Sequence, residues 1–342
     1  MKKLLKRHKP ILCLVTVVLV AVLSVSFYVM HSWGAFKFDR DSKYISQFYS
    51  EKEDSLDGIF FGSSAAYRYW CPPQAFDRHG MAVYCYGIQS MPLFSVQHFI
   101  DSALNYQDPK FIAIELRAAA KDPDVYTTGH VLAAISRMPN SLERMKILSG
   151  FMAFDQKHKT KISKLPNRYG FPEDKGRGDN LIEKVARAGR YKGFIPNASQ
   201  VTSATDRAPF AETSTPMNKH YEEDLQKLLK YCDSLECEVI FVCTPFYSSL
   251  ERHSELLHAV SIVESHGYSV INMNNDETIC ETQLDFATDF YNPTHTNVNG
   301  AIKVTNYLSD TFSNMYHLPD HRGSDDYLSW QESYDRFEEN YK

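Results

Sequence analysis

Five short apolar runs follow residue 54, and none of them alternates regularly with polar residues. Runs of this kind are typical of strands that are buried on both faces of a sheet. They lie at residues 56–61, 81–86, 111–116, 238–243 and 269–273. Helix-like segments separate or follow them at 95–105, 221–234, 248–265 and 298–312. The alternation predicts an α/β fold with a doubly wound, mainly parallel five-stranded sheet flanked by helices.

The longest apolar run has a different meaning. Residues 11–30 carry no charge and follow a basic segment, MKKLLKRHKP, at 1–10. About twenty helical residues span the hydrocarbon core of a bilayer, and the basic flank places the N-terminus in the cytoplasm. A cleaved secretory signal is the alternative, with a weak small-x-small site at 24–26, but the apolar run is long for a signal. We therefore expect a single-pass cell-membrane anchor in the lipid bilayer and an extracytoplasmic main domain.

The remaining organisation follows from where the apolar runs stop. A polar connector covers residues 31–54, and the α/β domain covers 55–317. A polar stretch at about 118–219 separates the third and fourth runs. A structureless loop of that length would contradict the strand assignment, so we predict an inserted helical region with helices at 131–137 and 181–188. The acidic, aromatic segment 318–342 is either a helix docked on the body or a loose tail.

Charge and cysteine content narrow the choice of partners. The net charge of −5 argues against general nucleic-acid binding, which needs clustered Lys and Arg. Cys13 lies in the predicted anchor, while the other six cysteines would be in an oxidising space where disulfides are permitted. Buried free thiols are an equal alternative, especially for the strand residues Cys85 and Cys243. The sequence contains no C-x-x-C pair, which argues against a zinc knuckle or a thioredoxin-type site. We expect no metal or organic cofactor.

The first stretch that indicates chemistry is FFGSS at 60–64, where the first predicted strand gives way to a helix. Open α/β sheets bind their ligands at the carboxyl ends of strands. Gly62 permits close backbone approach, and a serine in the first helical turn has free N–H groups that can hold a developing oxyanion. Helix capping also explains a serine here, so the stretch alone is compatible with either a nucleophile or a helix cap.

The second stretch is DFYNPTHTNVNG, just before the last predicted helix. It contains His295, and a histidine imidazole suits the role of a general base near neutral pH. Asn292 lies three residues ahead and Asp289 six residues ahead, and either could bond Nδ1 and leave Nε2 for a serine. A loop histidine is also often simply solvated. In a doubly wound sheet the two stretches would meet at one edge.

Together the two stretches resemble the SGNH/GDSL hydrolase superfamily, most closely its membrane-anchored bacterial branch related to the D-alanyl-lipoteichoic acid biosynthesis protein. The family's G-D-S and D-x-x-H blocks correspond to residues 62–64 and 292–295, with Ser63 where the family has aspartate. The resemblance frames about 55–315 and implies an SGNH/flavodoxin-like fold. It further implies Ser64 as the nucleophile, His295 as the general base, and an oxyanion hole from the Ser64 and Gly87 N–H groups with Gln89 as a side-chain donor. An ordinary turn explains Gly87 equally well.

Two departures from the family pattern bear on the chemistry. The third family block, G-x-N-D, has no match, because the chain reads IELRAAAKDPD after the third run. Glu115 and Arg117 there either line the cleft or form an ordinary surface ion pair. Asn292 stands where the family has aspartate, and an amide cannot offset the charge of an imidazolium. Three alternatives follow: Asp289 supplies the carboxylate, the site is a Ser-His dyad, or hydrolysis is lost and binding is kept.

The expected function is a membrane-anchored extracytoplasmic serine esterase or O-acyltransferase. The resemblance implies a cell-envelope glycan or polymer as substrate and an integral-membrane acyltransferase as partner. The alternative is a catalytically inactive envelope module that binds glycan or scaffolds an acyltransferase. Tyr67, Tyr69 and Trp70 would suit sugar stacking in such a module as well as they suit a core.

Overall fold

A computed structural model of the chain describes residues 15–24, 43–120, 134–135, 138–139, 142–147, 149, 191–200 and 210–342. In these residues the strands are β1 (Gly58–Gly62), β2 (Val83–Gly87), β3 (Phe111–Glu115), β4 (Glu238–Cys243), β5 (Ser269–Asn272), β6 (Phe290–Asn292) and β7 (His295–Thr296). The α-helices with both ends in the described residues are α1 (Lys43–Phe48), α2 (Ser64–Tyr67), α3 (Pro72–His79), α4 (Leu93–Leu104), α5 (Lys219–Cys232), α6 (Leu250–Ser265), α7 (Asp276–Thr282), α8 (Val298–Tyr316) and α9 (Leu328–Tyr341). Short 3₁₀ helices lie at Arg117–Ala120 and Asp325–Tyr327.

The central sheet has five strands in the order β2-β1-β3-β4-β5, and every neighbouring pair is parallel. This confirms the α/β class and the five-stranded sheet expected from the apolar runs. Every residue of β1, β2 and β3 is buried. Because successive side chains of a strand point to opposite faces, both faces of these three strands must be covered. That is why their sequences show no alternation of polar and apolar residues.

Helices cover the sheet in two groups. In one group α3 contacts both α8 and α9, and in the other α5 contacts α4 and α6. The helix α9 belongs to the body of the domain, since Trp330 and Phe337 are buried and the Trp330 ring lies 5.9 Å from that of Phe76. Of the two alternatives for residues 318–342, the structure therefore shows the docked helix.

The strand order places a topological switch between β1 and β3. From β1, the second strand of the sheet, the chain moves to the edge strand β2 and then returns to the other side of β1 as β3. At such a point the loops after the two strands run in opposite directions and leave a crevice at the carboxyl edge, where open α/β sheets bind ligands. Ser64 follows β1 and Arg117 follows β3, so both candidate regions lie at this crevice.

Three aromatic residues after β1 belong to the core. Tyr67, Tyr69 and Trp70 are all buried, and the Trp70 indole Nε1 donates to the carbonyl of Val83 at 3.0 Å. A sugar-stacking platform needs an exposed ring face. The alternative of a core role is therefore the one that the structure shows.

The N-terminal and inserted regions are described only in part. Residues 15–24 are helical with exposed side chains, and the rest of the predicted anchor at 11–30 lies outside the described residues. In the described part of the chain, no helix combines the length and apolarity needed to cross a bilayer. The predicted helix at 131–137 is described at 134–135, which are helical, and the one at 181–188 lies outside the described residues.

The cysteines that the structure describes are free thiols. Cys71, Cys85, Cys232 and Cys243 are buried, Cys237 is half-buried and Cys280 is exposed, while Cys13 lies outside the described residues. Burial raises the pKa of the Cys85 and Cys243 thiols well above the ordinary value, so both are neutral core groups. For these positions the free-thiol alternative is the one observed.

Candidate active site

The two adjacent serines after β1 have different roles. Ser63 is the N-cap of α2, and its Oγ accepts a hydrogen bond from the Ala65 N–H at 3.3 Å. The Ser63 carbonyl accepts from the Ala66 N–H at 2.9 Å. Ser64 occupies the first helical position and is half-buried. The capping role therefore belongs to Ser63, and the Ser64 hydroxyl is left for other chemistry.

Gly62 allows this turn to pack against the next strand. A β-carbon at Gly62 would lie 2.6 Å from the Cβ of Glu115 and 3.0 Å from that of Ala66. Real Cβ atoms do not approach so closely, hence no larger residue fits without a shift of β1 from β3. The glycine that the sequence pattern singled out is required by the close approach of two neighbours.

A tight hairpin presents His295. β6 and β7 are antiparallel, and Asn292 is paired with His295 across the two-residue turn Pro293-Thr294. The side-chain Oδ1 of Asn292 accepts from the Thr294 N–H at 3.0 Å, which is the Asx turn that this residue type favours. His295 therefore stands at a fixed position just before the N-cap Asn297 of α8.

The hairpin brings the histidine to the serine. His295 Nε2 lies 2.7 Å from Ser64 Oγ, and His295 Nδ1 lies 2.9 Å from Asn292 Oδ1. A backbone N–H can only donate, so the Asn292 atom that faces Thr294 N is the amide oxygen. Because that same oxygen faces Nδ1, Nδ1 carries the proton and Nε2 presents its lone pair to the Ser64 hydroxyl. This is the tautomer that a general base requires.

Two further groups surround the imidazole. The Thr294 hydroxyl lies 3.1 Å from His295 Nδ1 and 3.2 Å from Asn292 Oδ1. The Tyr291 ring is stacked on the imidazole, with centroids 5.6 Å apart and planes inclined by 10°. These contacts limit rotation of the ring about its side-chain torsions, so its orientation does not depend on Asn292 alone.

Asp289 is held in another place. Its buried carboxylate Oδ2 accepts from the Asp285 N–H at 2.7 Å and lies 2.7 Å from Lys303 Nζ. The Asp289 carbonyl accepts from the Asn297 N–H at 2.9 Å, which ties the loop to the start of α8. Of the two candidates for orienting His295, the structure brings Asn292 to Nδ1 and pairs Asp289 with Lys303 instead.

Glu115 and Arg117 are buried beneath the site and are not a surface pair. Their side chains are 0% and 9% exposed, and Arg117 Nε lies 3.9 Å from Glu115 Oε1. Glu115 Oε1 also accepts from the Arg117 N–H at 3.2 Å. Thr244, at the end of β4, accepts from Arg117 Nη1 at 3.1 Å and lies 3.2 Å from both Glu115 Oε1 and the Ala65 carbonyl. The network links the ends of β3 and β4 to the helix that carries Ser64.

The same arginine fixes the histidine hairpin. The Thr294 carbonyl accepts from Arg117 Nη2 and from the Tyr69 hydroxyl, both at 2.8 Å. The Tyr247 N–H donates to the Pro293 carbonyl at 2.9 Å. Burial raises the pKa of Tyr69 well above the ordinary value, so its phenol stays protonated and able to donate. Three donors from different loops therefore hold the turn between Asn292 and His295.

The oxyanion-hole candidates lie around the serine turn. Gly87 ends β2 beside Gly62, and a β-carbon on it would lie 3.2 Å from the Ser63 carbonyl and 3.0 Å from the Tyr67 ring. Gln89 is half-buried in the following turn, which the Met91 N–H closes by donating to the Ile88 carbonyl at 3.0 Å. The structure thus places Gly87 against the serine turn, and the donor roles of the Ser64 and Gly87 N–H groups and of Gln89 stay predictions.

Sequence reasoning missed several groups at this site. Arg68, Thr244 and Tyr291 were not singled out, although each has a readable signal. Arg68 lies one helical turn after Ser64, Thr244 follows the carboxyl end of a predicted strand, and Tyr291 adjoins the histidine block.

No protein-family model matches the chain, and no curated protein matches it. In the part of the chain that the structure describes, no three His, Cys, Asp or Glu side chains are grouped to hold a metal ion.

Proposed function

We propose that the protein is a serine esterase or O-acyltransferase in which Ser64 is the nucleophile and His295 the general base. The observation that carries this proposal is the 2.7 Å contact between Ser64 Oγ and His295 Nε2, with the Nδ1 proton directed at Asn292 Oδ1. A nucleophile, a base in hydrogen-bond reach and a third group that orients the base form the arrangement used in nucleophilic catalysis. The site lies at the carboxyl edge of the sheet, where a substrate has access.

The reaction proceeds in two halves. Ser64 Oγ attacks the carbonyl carbon of an ester, and its proton passes to His295 Nε2. The negative charge on the carbonyl oxygen is stabilised by the Ser64 and Gly87 N–H groups, with Gln89 as a further donor. His295 then protonates the departing alkoxide, which leaves an acyl-Ser64. In the second half His295 takes a proton from water or from an acceptor hydroxyl, whose oxygen attacks the acyl carbon. The bond between that carbon and Ser64 Oγ then breaks, and the imidazolium returns the proton to Oγ.

The substrate class and location are inferred from the sequence. The resemblance to the SGNH/GDSL superfamily supports an envelope glycan or polymer as substrate and an integral-membrane acyltransferase as partner. The apolar run at 11–30 supports a membrane anchor with the site on the extracytoplasmic side.

The test of the proposal is covalent labelling of the full-length protein in detergent with a fluorophosphonate probe. We expect wild-type protein to be labelled on the peptide that contains Ser64, and Ser64→Ala to be unlabelled. Ser63→Ala is the matched control, because it removes the hydroxyl next to Ser64, whose role in the structure is to cap the helix. It should keep the labelling and lose about 1 kcal/mol of unfolding free energy. Labelling that survives Ser64→Ala, or that is absent from wild type, would remove the nucleophile assignment.

One observation favours the second candidate, an inactive module that binds glycan. Asn292 is neutral, so it orients His295 without stabilising the imidazolium that forms when Ser64 loses its proton. If this reading holds, binding of envelope glycan would persist in the Ser64→Ala/His295→Ala double variant, and ester turnover would be absent from wild type as well.

Asn292→Asp should accelerate labelling of Ser64 by about 10-fold or more, because a carboxylate at the same place offsets the imidazolium charge. The reverse change in serine proteases lowers kcat by about 10⁴-fold. The measurement is the second-order rate constant with the fluorophosphonate probe, compared among wild type, Asn292→Asp and Asn292→Ala. Asn292→Ala should be slower than wild type. Equal rates for wild type and Asn292→Asp would show that charge at this position does not limit the reaction.

A further inference from the structure

Arg68 lies one helical turn after Ser64 and has no role in the steps above. It is the C-cap of the helix that Ser64 begins, and its N–H donates to the Ser64 carbonyl at 3.1 Å. Its guanidinium lies 5.3 Å from the centroid of the Tyr291 ring, the ring that stacks on His295. A rise of 1.5 Å per residue puts the Arg68 backbone about 6 Å along the helix axis from that of Ser64. The Arg68 backbone therefore lies one helical turn from that of Ser64.

The guanidinium is held at one end only. Nη1 donates to the Ile195 carbonyl at 2.7 Å and reaches the Pro196 carbonyl at 3.4 Å. Nε is buried and has no hydrogen-bond partner. No described residue accepts a hydrogen bond from Nη2. The parallel donor pair formed by Nε and Nη2 is therefore the unpaired edge of Arg68.

Two other arginines of this chain show what that edge binds. Arg78 donates from Nε and Nη2 to the two carboxylate oxygens of Asp310, at 2.6 and 2.7 Å. Arg322 donates from the same two atoms to Asp320, at 2.9 and 2.6 Å. This two-pronged geometry matches carboxylate and phosphate oxygens. In both cases the protein itself supplies the anion.

Arg68 differs because no carboxylate of the described residues pairs with it. Its neighbours are two carbonyls and the faces of Tyr67 and Tyr291, each 5.3 Å from the guanidinium carbon. Carbonyls and ring faces fix the position of a cation but leave its charge uncompensated. A half-buried arginine with an uncompensated charge is thus fixed one helical turn from Ser64, and an anion from outside the chain would complete its donor edge.

We propose that Arg68 binds an anionic oxygen group of the substrate, a carboxylate or a phosphate, while Ser64 attacks an ester about one helical turn away. This inference rests on the proposed function and deepens it, because it names the charge that the substrate carries. Arg68 is then a specificity residue: it selects esters of acidic molecules and positions them through the Nε and Nη2 edge. Neutral esters would reach Ser64 without that contact and would react more slowly.

The first experiment compares two fluorophosphonate probes that differ only in a terminal carboxylate or carboxamide on the same short chain. In full-length wild-type protein we expect the carboxylate probe to label Ser64 about 10-fold faster than the neutral one. In Arg68→Gln the ratio of the two rates should fall to about one. In Arg68→Lys it should be intermediate, since lysine keeps the charge and loses the two-pronged geometry. General damage to the site slows both probes alike and leaves the ratio unchanged.

The matched control is Arg336→Gln, which makes the same charge change at an exposed arginine paired with Glu332 on α9. It should keep the wild-type ratio. A ratio of about one in wild type, or the same raised ratio in wild type and Arg68→Gln, would overturn the assignment of Arg68. A fall of the ratio in Arg336→Gln as large as that in Arg68→Gln would overturn it as well, because the effect would then be one of net charge.

The second experiment separates this proposal from the proposed function. If neither probe labels Ser64, catalysis by Ser64 fails, and binding alone then decides the role of Arg68. Calorimetric titration of Ser64→Ala with a galacturonic acid trimer and with glycerol 3-phosphate distinguishes a carboxylate from a phosphate ligand. We expect one of the two to bind, and at least about 10-fold weaker binding in the Ser64→Ala/Arg68→Gln variant. Binding of neither anion, or equal affinity in both variants, would overturn the proposal.

Discussion

Replacing His295 with alanine should slow the labelling of Ser64 by about 10⁴-fold or more. The imidazole Nε2 of His295 lies 2.7 Å from Ser64 Oγ, within hydrogen-bond reach of the hydroxyl proton that a base must accept. In serine hydrolases, loss of the base costs about as much as loss of the nucleophile, because the two act as a unit. The measurement is the second-order rate constant for fluorophosphonate labelling of the full-length protein, with Ser64→Ala as the lower limit.

His266→Ala is the matched control for this experiment. His266 is an exposed histidine whose Nε2 lies 3.0 Å from Asp233 Oδ2, and Asp233 does not belong to the site. Its replacement should leave the labelling rate at the wild-type value. If His295→Ala slows labelling by less than about 10-fold, His295 is not the base and the 2.7 Å contact has only a structural role.

Arg117→Met should lower the free energy of unfolding by about 3–5 kcal/mol. The change keeps most of the aliphatic bulk and removes the cation, which leaves the Glu115 side chain, 0% exposed, without its charged partner. It also removes the Nη2 donor that holds the Thr294 carbonyl at 2.8 Å. The hairpin that carries His295 loses one of its three anchors, so labelling of Ser64 should slow as well. Urea denaturation measures the first effect and probe kinetics the second.

A double variant tests the cause of that loss. Glu115→Gln combined with Arg117→Met removes both charges, so the penalty for an unpaired buried carboxylate disappears and part of the stability should return. The labelling rate should not return, because the donor to Thr294 is still missing. A loss below about 1 kcal/mol in the single variant would show that the pair, whose nearest side-chain atoms are 3.9 Å apart, contributes no more than a surface ion pair.

The sheet was predictable because the apolar runs carry the information in their own residues. A strand buried on both faces needs a short, unbroken apolar stretch. Each of the five runs coincides with one strand of the parallel sheet, and the ends differ by at most two residues. The antiparallel pair β6-β7 was not predicted. Its strands have three and two residues, too short for a periodic signal, and the Asn292 side chain rather than a pattern of apolar residues defines the turn.

The serine and histidine could be found for a similar reason. Gly62-Ser63-Ser64 and Asn292–His295 are local blocks at the ends of predicted strands or helices, so chain order alone places them at one edge of the sheet. Local sequence also permits both Asn292 and Asp289 to orient His295, since a loop can bring either one round. Only the structure shows Asp289 paired with Lys303, because Lys303 lies on α8 and its approach depends on how α8 packs.

By itself, then, the amino-acid sequence determined the α/β class and the five apolar runs that become the parallel strands, because each run lies in residues close together in the chain. It also supplied the two local blocks that carry Ser64 and His295, which the fold brings together across 231 positions. The tertiary structure decided which serine caps the helix, which residue orients His295, and that Glu115 and Arg117 are buried under the site. It also decided that residues 328–341 form a helix docked on the body. These outcomes depend on contacts between segments far apart in sequence, and burial and hydrogen-bond partners there are set by how the segments pack.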